Sequence, residues 1–139
     1  MFPWRTWRLG GKNPAYNAVM DSPTTLADLK KRVQTFCQKR DWDQFHGAKD
    51  LAIGTITEAS ELLEHFRFKN DKEIEEMFKN KAKREEIEDE LADVLFFIVR
   101  FAQRYDIDLA KAAKRKLAKS GKKYPVSKAK GSNKKYTDL

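Results

Sequence analysis

Two segments of the chain each carry two carboxylates spaced three residues apart within an apolar, helix-like pattern. The first is Glu58-Ala59-Ser60-Glu61, and the second is Glu90-Leu91-Ala92-Asp93. A helix places residues i and i+3 side by side on one face. Asp93 lies in the otherwise apolar run 91–99, where an ionised carboxylate is costly unless it is paired or binds a metal. Two such helices facing each other would supply four oxygen ligands, a set suited to Mg²⁺ with a phosphate substrate.

The spacing of the apolar residues predicts an all-α fold with four main helices. We expect these at about residues 25–40, 48–66, 83–105 and 108–121, with a short charged helix over residues 70–77. Thr25 and Asp28 form a capping box at the first of them. The predicted core faces are Leu26, Leu29, Val33 and Phe36; Ala52, Ile56, Ala59, Leu63 and Phe66; and Ile87, Leu91, Val94, Ile98 and Phe101. The helix over 83–105 is apolar on most sides, so we expect a partner subunit to cover part of it.

Length and composition indicate one soluble domain of 139 residues with a lone cysteine, Cys37. A single cysteine excludes an intrachain disulfide and favours the reducing cytoplasm. No apolar run approaches the roughly 20 residues that a membrane span needs. We expect residues 1–19 to be a non-native or disordered leader, residues 20–125 to be the functional domain, and residues 126–139 to be a basic tail.

The net charge of +8 is concentrated near the C-terminus. Residues 111–135 carry eleven Lys and Arg and no acid, whereas the rest of the chain carries 18 basic and 21 acidic residues. This basic strap is either an anion site for phosphates or nucleic acid, or a solvated tail.

Residues 41–47 form an aromatic loop between the first two predicted helices. Trp42, Phe45 and His46 offer two flat stacking surfaces and one polar edge, which suit a nucleobase. The alternative is that Trp42 and Phe45 form a hydrophobic plug that closes the first helix onto the second.

Residues 40–46, 58–69 and 90–95 resemble the MazG-like family of all-α nucleoside triphosphate pyrophosphohydrolases, most closely its dCTP pyrophosphatase branch, and residues 122–126 also fit. The resemblance covers about residues 25–130. Members of this family cleave between the α- and β-phosphates and release the monophosphate and pyrophosphate. The resemblance implies an oligomeric four-helix bundle, a tetramer in preference to a dimer. It also implies a housecleaning enzyme that uses Mg²⁺, or Mn²⁺, to hydrolyse dCTP or related modified pyrimidine nucleotides.

The resemblance also assigns residue roles. Metal binding falls to Glu58, Glu61, Glu90 and Asp93. Because a carboxylate that is not fully engaged by metal can take a proton from the attacking water, Glu61 is the predicted catalytic base. Lys116 occupies the family's phosphate-facing lysine position. The full set of predicted substrate-binding residues is Trp42, Gln44, Phe45, His46, Lys49, Phe68, Phe97 and Lys116.

The chain departs from the family pattern at several positions. Phe68 replaces a common Trp, Ser120 and Asp50 each replace a usual Asn, and Val33 and Phe97 stand where animal dCTP-preferring members have His and Tyr. Fewer polar groups near a base weaken discrimination between bases. Two rival interpretations stay open. One is a nucleic-acid-binding or regulatory helical protein that uses the basic strap, with a salt-dependent affinity for DNA. The other is a helical bundle that keeps the fold but hydrolyses nucleotides only slowly. If the chain is the enzyme, we do not expect nucleic acid to be a partner.

Overall fold

The computed structural model describes residues 23–139, so the leader expected over residues 1–19 lies outside the described residues. Residues 23–139 form helices and no strand, which confirms the all-α prediction. Within this range, no helix has both the length and the apolar character needed to cross a bilayer. The helices are α1 (Leu26–Gln38), α2 (Ala48–Phe66), α3 (Asp71–Lys79), α4 (Lys81–Arg104), α5 (Leu109–Lys123) and α6 (Val126–Ala129), with short 3₁₀ helices at Trp42–Phe45 and Tyr136–Asp138.

The described residues fall into two compact units. Residues 24–108 contain α1 to α4, and residues 109–139 contain α5 and α6. In the first unit α4 is central, because α1, α2 and α3 all pack against it, α2 most extensively. In the second unit the ring of Tyr124 meets that of Tyr136 edge to face at 5.9 Å, and the Lys123 ammonium lies 4.8 Å from the Tyr136 ring centroid.

Side-chain caps fix where α1, α3 and α4 begin. The Thr25 hydroxyl accepts a hydrogen bond from the Asp28 backbone nitrogen at 3.1 Å, and the Asp28 carboxylate accepts one from the Thr25 backbone nitrogen at 2.9 Å, as the capping box predicts. Asn70 and Glu73 form the same arrangement at α3. Asn80 accepts a hydrogen bond from the Lys83 backbone nitrogen, so α4 begins at Lys81, two residues earlier than predicted. Each cap contributes about 1 kcal/mol to stability.

The core of the first unit lies where α1, α2 and α4 meet. Its fully buried apolar side chains are Cys37, Leu51, Ile87, Val99 and Ala102. Burial raises the pKa of the Cys37 thiol, which keeps this side chain protonated and apolar in character.

The predicted core face of α2 is wrong within this chain except at Phe66, which is half-buried and stacks on Phe78. Ile56 is 69% exposed and Leu63 is 60% exposed, and Ala52 and Ala59 are exposed as well. The helix instead turns a neighbouring face inward. That face consists of Leu51, Gly54, Thr55, Glu58 and Leu62. The error has a physical cause: α2 is apolar on two faces, and periodicity alone does not distinguish which of them meets α4.

The core face predicted for α4 is correct only in part. Ile87 is buried and Val94 and Phe101 are half-buried, but Leu91 and Ile98 are exposed. The single chain leaves part of this helix uncovered, and the partner subunit expected to cover it stays a prediction. Exposed leucine and isoleucine side chains thus line one side of both α2 and α4.

Candidate functional site

Three of the four predicted carboxylates come together between α2 and α4. Glu58 of α2 and Glu90 and Asp93 of α4 each offer a carboxylate oxygen, and these three oxygens lie within 4.8 Å of one another. Glu58 and Glu90 are half-buried, and Asp93 is exposed. We call these three residues the carboxylate cluster. The i, i+3 spacing on α4 puts Glu90 and Asp93 on one face, and the packing of α2 brings Glu58 to them.

A close approach of the two helices lies one turn away from the cluster. Gly54 precedes Glu58 by four residues and Phe97 follows Asp93 by four. A Cβ atom built on Gly54 would lie 2.2 Å from Cε1 of Phe97, far inside van der Waals contact. Only glycine at this position lets the Phe97 ring pack against the backbone of α2. The contact sets the separation of the helices that carry the cluster.

The charges in the cluster oppose one another. Partial burial, followed by the negative charges of Glu61, Asp93 and Glu90, raises the pKa of the Glu58 carboxyl above its usual value. Oε2 of Glu90 is buried and has no hydrogen-bond partner among the described residues. Buried carboxylate oxygens are normally satisfied by a donor or a cation. The cluster therefore combines three carboxylate ligands with a buried oxygen that lacks a donor, as expected of a divalent-cation site. Its oxygen ligands fit Mg²⁺.

Glu61 lies outside the carboxylate cluster. Its side chain is exposed on α2, one turn after Glu58, and is near enough for its charge to contribute to the raised pKa of Glu58. Its assignments as fourth metal ligand and as catalytic base stay predictions.

The aromatic loop packs onto α1 in part. The Trp42 ring meets those of Phe36 and His46 edge to face, at centroid distances of 5.7 and 6.1 Å, and Phe36 in turn meets Phe96 of α4 at 6.0 Å. Trp42 therefore belongs to a ladder of rings that connects the loop to α4. Phe45 is 63% exposed, which does not fit the plug interpretation for this residue.

Sequence reasoning missed Arg100, which lies fully buried beneath the aromatic loop. Its Nε donates a hydrogen bond to Nδ1 of His46 at 2.9 Å, and its other nitrogens donate to Asp43 and Gln103. Asp43 also pairs with Arg104 at 3.7 Å. The hydrogen bond from Arg100 holds the pKa of Asp43 below its usual value. The only sequence signal for this residue was a cation within the apolar run 94–102.

The other predicted substrate-binding residues lie in varied settings. The amide nitrogen of Gln44 donates to the backbone oxygen and to the carboxylate of Asp41, which holds the loop entry in a left-handed conformation (φ 54°). Phe68 is 88% exposed with a φ of 61°, and the Arg67 guanidinium lies 4.8 Å from its ring centroid. Lys49 is exposed at the start of α2. Lys116 is exposed on α5, in the second unit.

Comparisons with known proteins find similarity to the MazG-like family and to pyrophosphatases. Residues 53–139 match the model of the MazG-like family. The chain is 36% identical over 115 residues to dCTP pyrophosphatase 1 of Rattus norvegicus, covering 83% of this chain and 68% of the relative. The human protein of the same name is 35% identical with the same coverage. A crystal structure of a pyrophosphatase from Archaeoglobus fulgidus is similar with a TM-score of 0.68 and 29% identity, covering 78% of this chain and 99% of that one.

Proposed function

The chain belongs to the MazG-like family, and from that premise we propose that it is a Mg²⁺-dependent enzyme that hydrolyses nucleoside triphosphates to the monophosphate and pyrophosphate. Its relatives named dCTP pyrophosphatase and its structural neighbour named pyrophosphatase support a nucleotide pyrophosphohydrolase. The observation that carries the proposal is the carboxylate cluster, together with the buried Oε2 of Glu90, which has no hydrogen-bond partner within residues 23–139. Because a triphosphate is highly anionic, acidic residues can hold it only through cations.

The carboxylates divide into two groups by position. Glu58, Glu90 and Asp93 would hold the ion, and when bound it would neutralise charge on the phosphates and favour a nucleophilic water. Glu61 lies outside the cluster but is close enough for its charge to raise the pKa of Glu58. A carboxylate that is not committed to the ion can accept the proton of the attacking water. We therefore keep Glu61 as the proposed base.

The aromatic loop is the proposed base pocket. Trp42 and Phe45 keep exposed ring surface on which a nucleobase can stack, and His46 supplies a polar edge. We propose dCTP or a related, modified pyrimidine deoxynucleotide as the substrate, on the strength of the relatives' printed name. Removing such nucleotides from the pool would be a housecleaning role.

Product analysis tests the proposed function. The purified chain is incubated with each canonical triphosphate and several modified ones, with Mg²⁺, with Mn²⁺ and with EDTA, and the products are separated by anion exchange. We expect monophosphate and pyrophosphate, fastest from a cytosine deoxynucleotide, and no turnover in EDTA. Diphosphate and orthophosphate as products, or no turnover of any nucleotide, would contradict the proposal.

Ion binding is expected to stabilise the fold, because it relieves the repulsion among the clustered carboxylates. At an ion concentration about 100 times its Kd, the free energy of unfolding should rise by about 2.7 kcal/mol. Thermal melts in EDTA and then in excess Mg²⁺ measure this as a higher melting temperature. Asp93→Asn should lose most of the rise, and equal melting temperatures for the native chain in both buffers would argue against the site.

The exposed apolar face of α2 and α4 supports a homo-oligomer. Ile53, Ile56 and Leu63 of α2 and Leu91, Leu95 and Ile98 of α4 are all more than one third exposed. Apolar surface of this extent is a common mark of a subunit interface. We propose a tetramer built on this face, with a dimer as the smaller assembly.

Sedimentation velocity measures the assembly state at micromolar concentration. We expect a species of at least twice the 16.2 kDa chain mass. Ile56→Glu should shift it toward monomer because the substitution places a charge in the proposed interface. Glu75→Ile on α3 serves as a control of opposite polarity that should leave the assembly unchanged. A native chain that sediments as a monomer would refute the interface.

A further inference from the structure

The buried Arg100 makes a directional contact that constrains His46. A guanidinium carries only hydrogen-bond donors. Since Nε of Arg100 lies 2.9 Å from Nδ1 of His46, this ring nitrogen must be the acceptor, with its lone pair directed at Arg100. A neutral imidazole whose Nδ1 is an acceptor carries its proton on Nε2.

The surroundings also keep His46 neutral. Burial, followed by the positive charge of Arg100, lowers the pKa of His46; Arg104 acts in the same direction, and Asp43 and Asp50 oppose it. A doubly protonated ring would moreover turn an N–H toward the guanidinium. At neutral pH the ring therefore offers one hydrogen-bonding group outside this contact, the Nε2–H donor.

The network that holds this arrangement ties the aromatic loop to α4. Arg100 is fully buried, and Asp43 of the 3₁₀ helix accepts from it while also facing Arg104. A buried guanidinium needs such a partner, because an unpaired charge in the interior is strongly destabilising. Gln103 accepts another of its hydrogen bonds. With both Asp43 and His46 bound to Arg100, the loop side chains have little freedom to reorient.

We propose that Arg100 is a positioning residue that fixes His46 as an Nε2–H donor. This donor forms a hydrogen bond to an acceptor on the substrate base, and the bond favours cytosine over uracil and thymine. This inference rests on the proposed function for its ligand. N3 of cytosine is an acceptor, whereas N3 of uracil and thymine carries a proton. The Nε2–H of His46 can therefore donate a hydrogen bond to N3 of cytosine, whereas in uracil and thymine it would face the N3–H, a second donor. Binding sites that rely on hydrogen bonds discriminate strongly against a ligand that leaves a donor unpaired.

The tautomer can be observed without any substrate. The chain has two histidines, so a long-range ¹H–¹⁵N spectrum of the ring nitrogens holds two sets of signals, and His65 serves as the internal reference. We expect His46 at neutral pH to be protonated on Nε2 alone. Arg100→Lys keeps a positive charge near Asp43 but removes the Nε donor, so His46 should become a mixture of tautomers. A wild-type His46 protonated on Nδ1 would overturn the proposal.

Base reading is tested with dCMP and dUMP, which bind without being hydrolysed. We expect wild type to prefer dCMP, and Arg100→Lys to lower the dCMP to dUMP affinity ratio by about tenfold, the equivalent of one neutral hydrogen bond. Arg104→Lys is the matched control, because Arg104 faces the same Asp43 without bonding to His46, and it should keep the ratio.

A second variant covers the case in which Arg100→Lys does not fold. His46→Asn retains an acceptor at the position of Nδ1 and lacks the Nε2–H, so it should lower the ratio equally. An unchanged ratio in a folded His46→Asn protein would overturn the base-reading step. These titrations measure binding and need no turnover. If the hydrolysis assay failed, the proposed reaction would be refuted, but the affinity ratios would still test the role of His46 in base recognition.

Discussion

Asp93→Asn is expected to lose at least about a hundredfold of the nucleotide hydrolysis rate while the protein stays folded. The substitution preserves side-chain size and removes one of the three negative charges that meet between α2 and α4. Loss of a ligand that holds a catalytic cation costs several kcal/mol of transition-state stabilisation. The measurement is kcat/KM for pyrophosphate release at saturating Mg²⁺, with circular dichroism to confirm the helical fold.

The matched control for this variant is Asp89→Asn. Asp89 lies on the same helix four residues earlier, is exposed, and is not part of the carboxylate cluster. The change in formal charge is identical, so a general electrostatic effect would appear in both variants. We expect Asp89→Asn to retain a rate within about twofold of wild type, a change below about 0.4 kcal/mol. Wild-type turnover in Asp93→Asn would remove Asp93 from the site.

Gly54→Ala is expected to destabilise the fold, although alanine is the better helix former. Alanine in place of glycine within a helix gains about 1 kcal/mol, but here its Cβ would lie 2.2 Å from the Phe97 ring. Overpacking of this kind costs about 1–3 kcal/mol, and relieving it by moving the helices apart would also separate Glu58 from Asp93. We therefore expect a lower free energy of unfolding in urea and a loss of activity.

Gly121→Ala provides the comparison. Gly121 lies in α5, and a Cβ built there meets no atom of residues 23–139 within 4 Å. The same substitution should therefore raise stability, by up to about 1 kcal/mol. The two variants should differ in sign when measured in the same denaturation series. If Gly54→Ala were as stabilising as Gly121→Ala, the close approach would not be what sets the helix separation.

Local signals in the sequence predicted the helices well because their causes are local. The Thr25–Asp28 capping box fixes the start of α1, and the predicted bounds 48–66 coincide with α2. The i, i+3 spacing of Glu90 and Asp93 likewise places both carboxylates on one face of α4. These features depend on residues within a turn or two of each other, which a sequence displays directly.

The orientation of α2 and the roles of Arg100 and Gly54 depend on which helices pack against each other. The sequence does not show these long-range contacts. Ile56 and Leu63 have the spacing of core residues, but an apolar face that serves a neighbouring subunit has the same spacing as one that serves the core. Arg100 is a cation within an apolar run, but the sequence does not show that Asp43 and His46 of the aromatic loop meet it. Gly54 acquires its role only because Phe97 lies opposite, on a helix more than 40 residues away.

The central claim is that one divalent cation binds between Glu58, Glu90 and Asp93, and a crystal soaked in Mn²⁺ tests it most directly. An anomalous difference map locates the ion without reference to activity. We predict a peak at about 2.2 Å from a carboxylate oxygen of each of the three residues, the distance typical of a hard divalent cation bound by carboxylates. The same map would show whether Glu61 joins them. A peak located elsewhere, or none at this cluster in crystals soaked at millimolar Mn²⁺, would contradict the account.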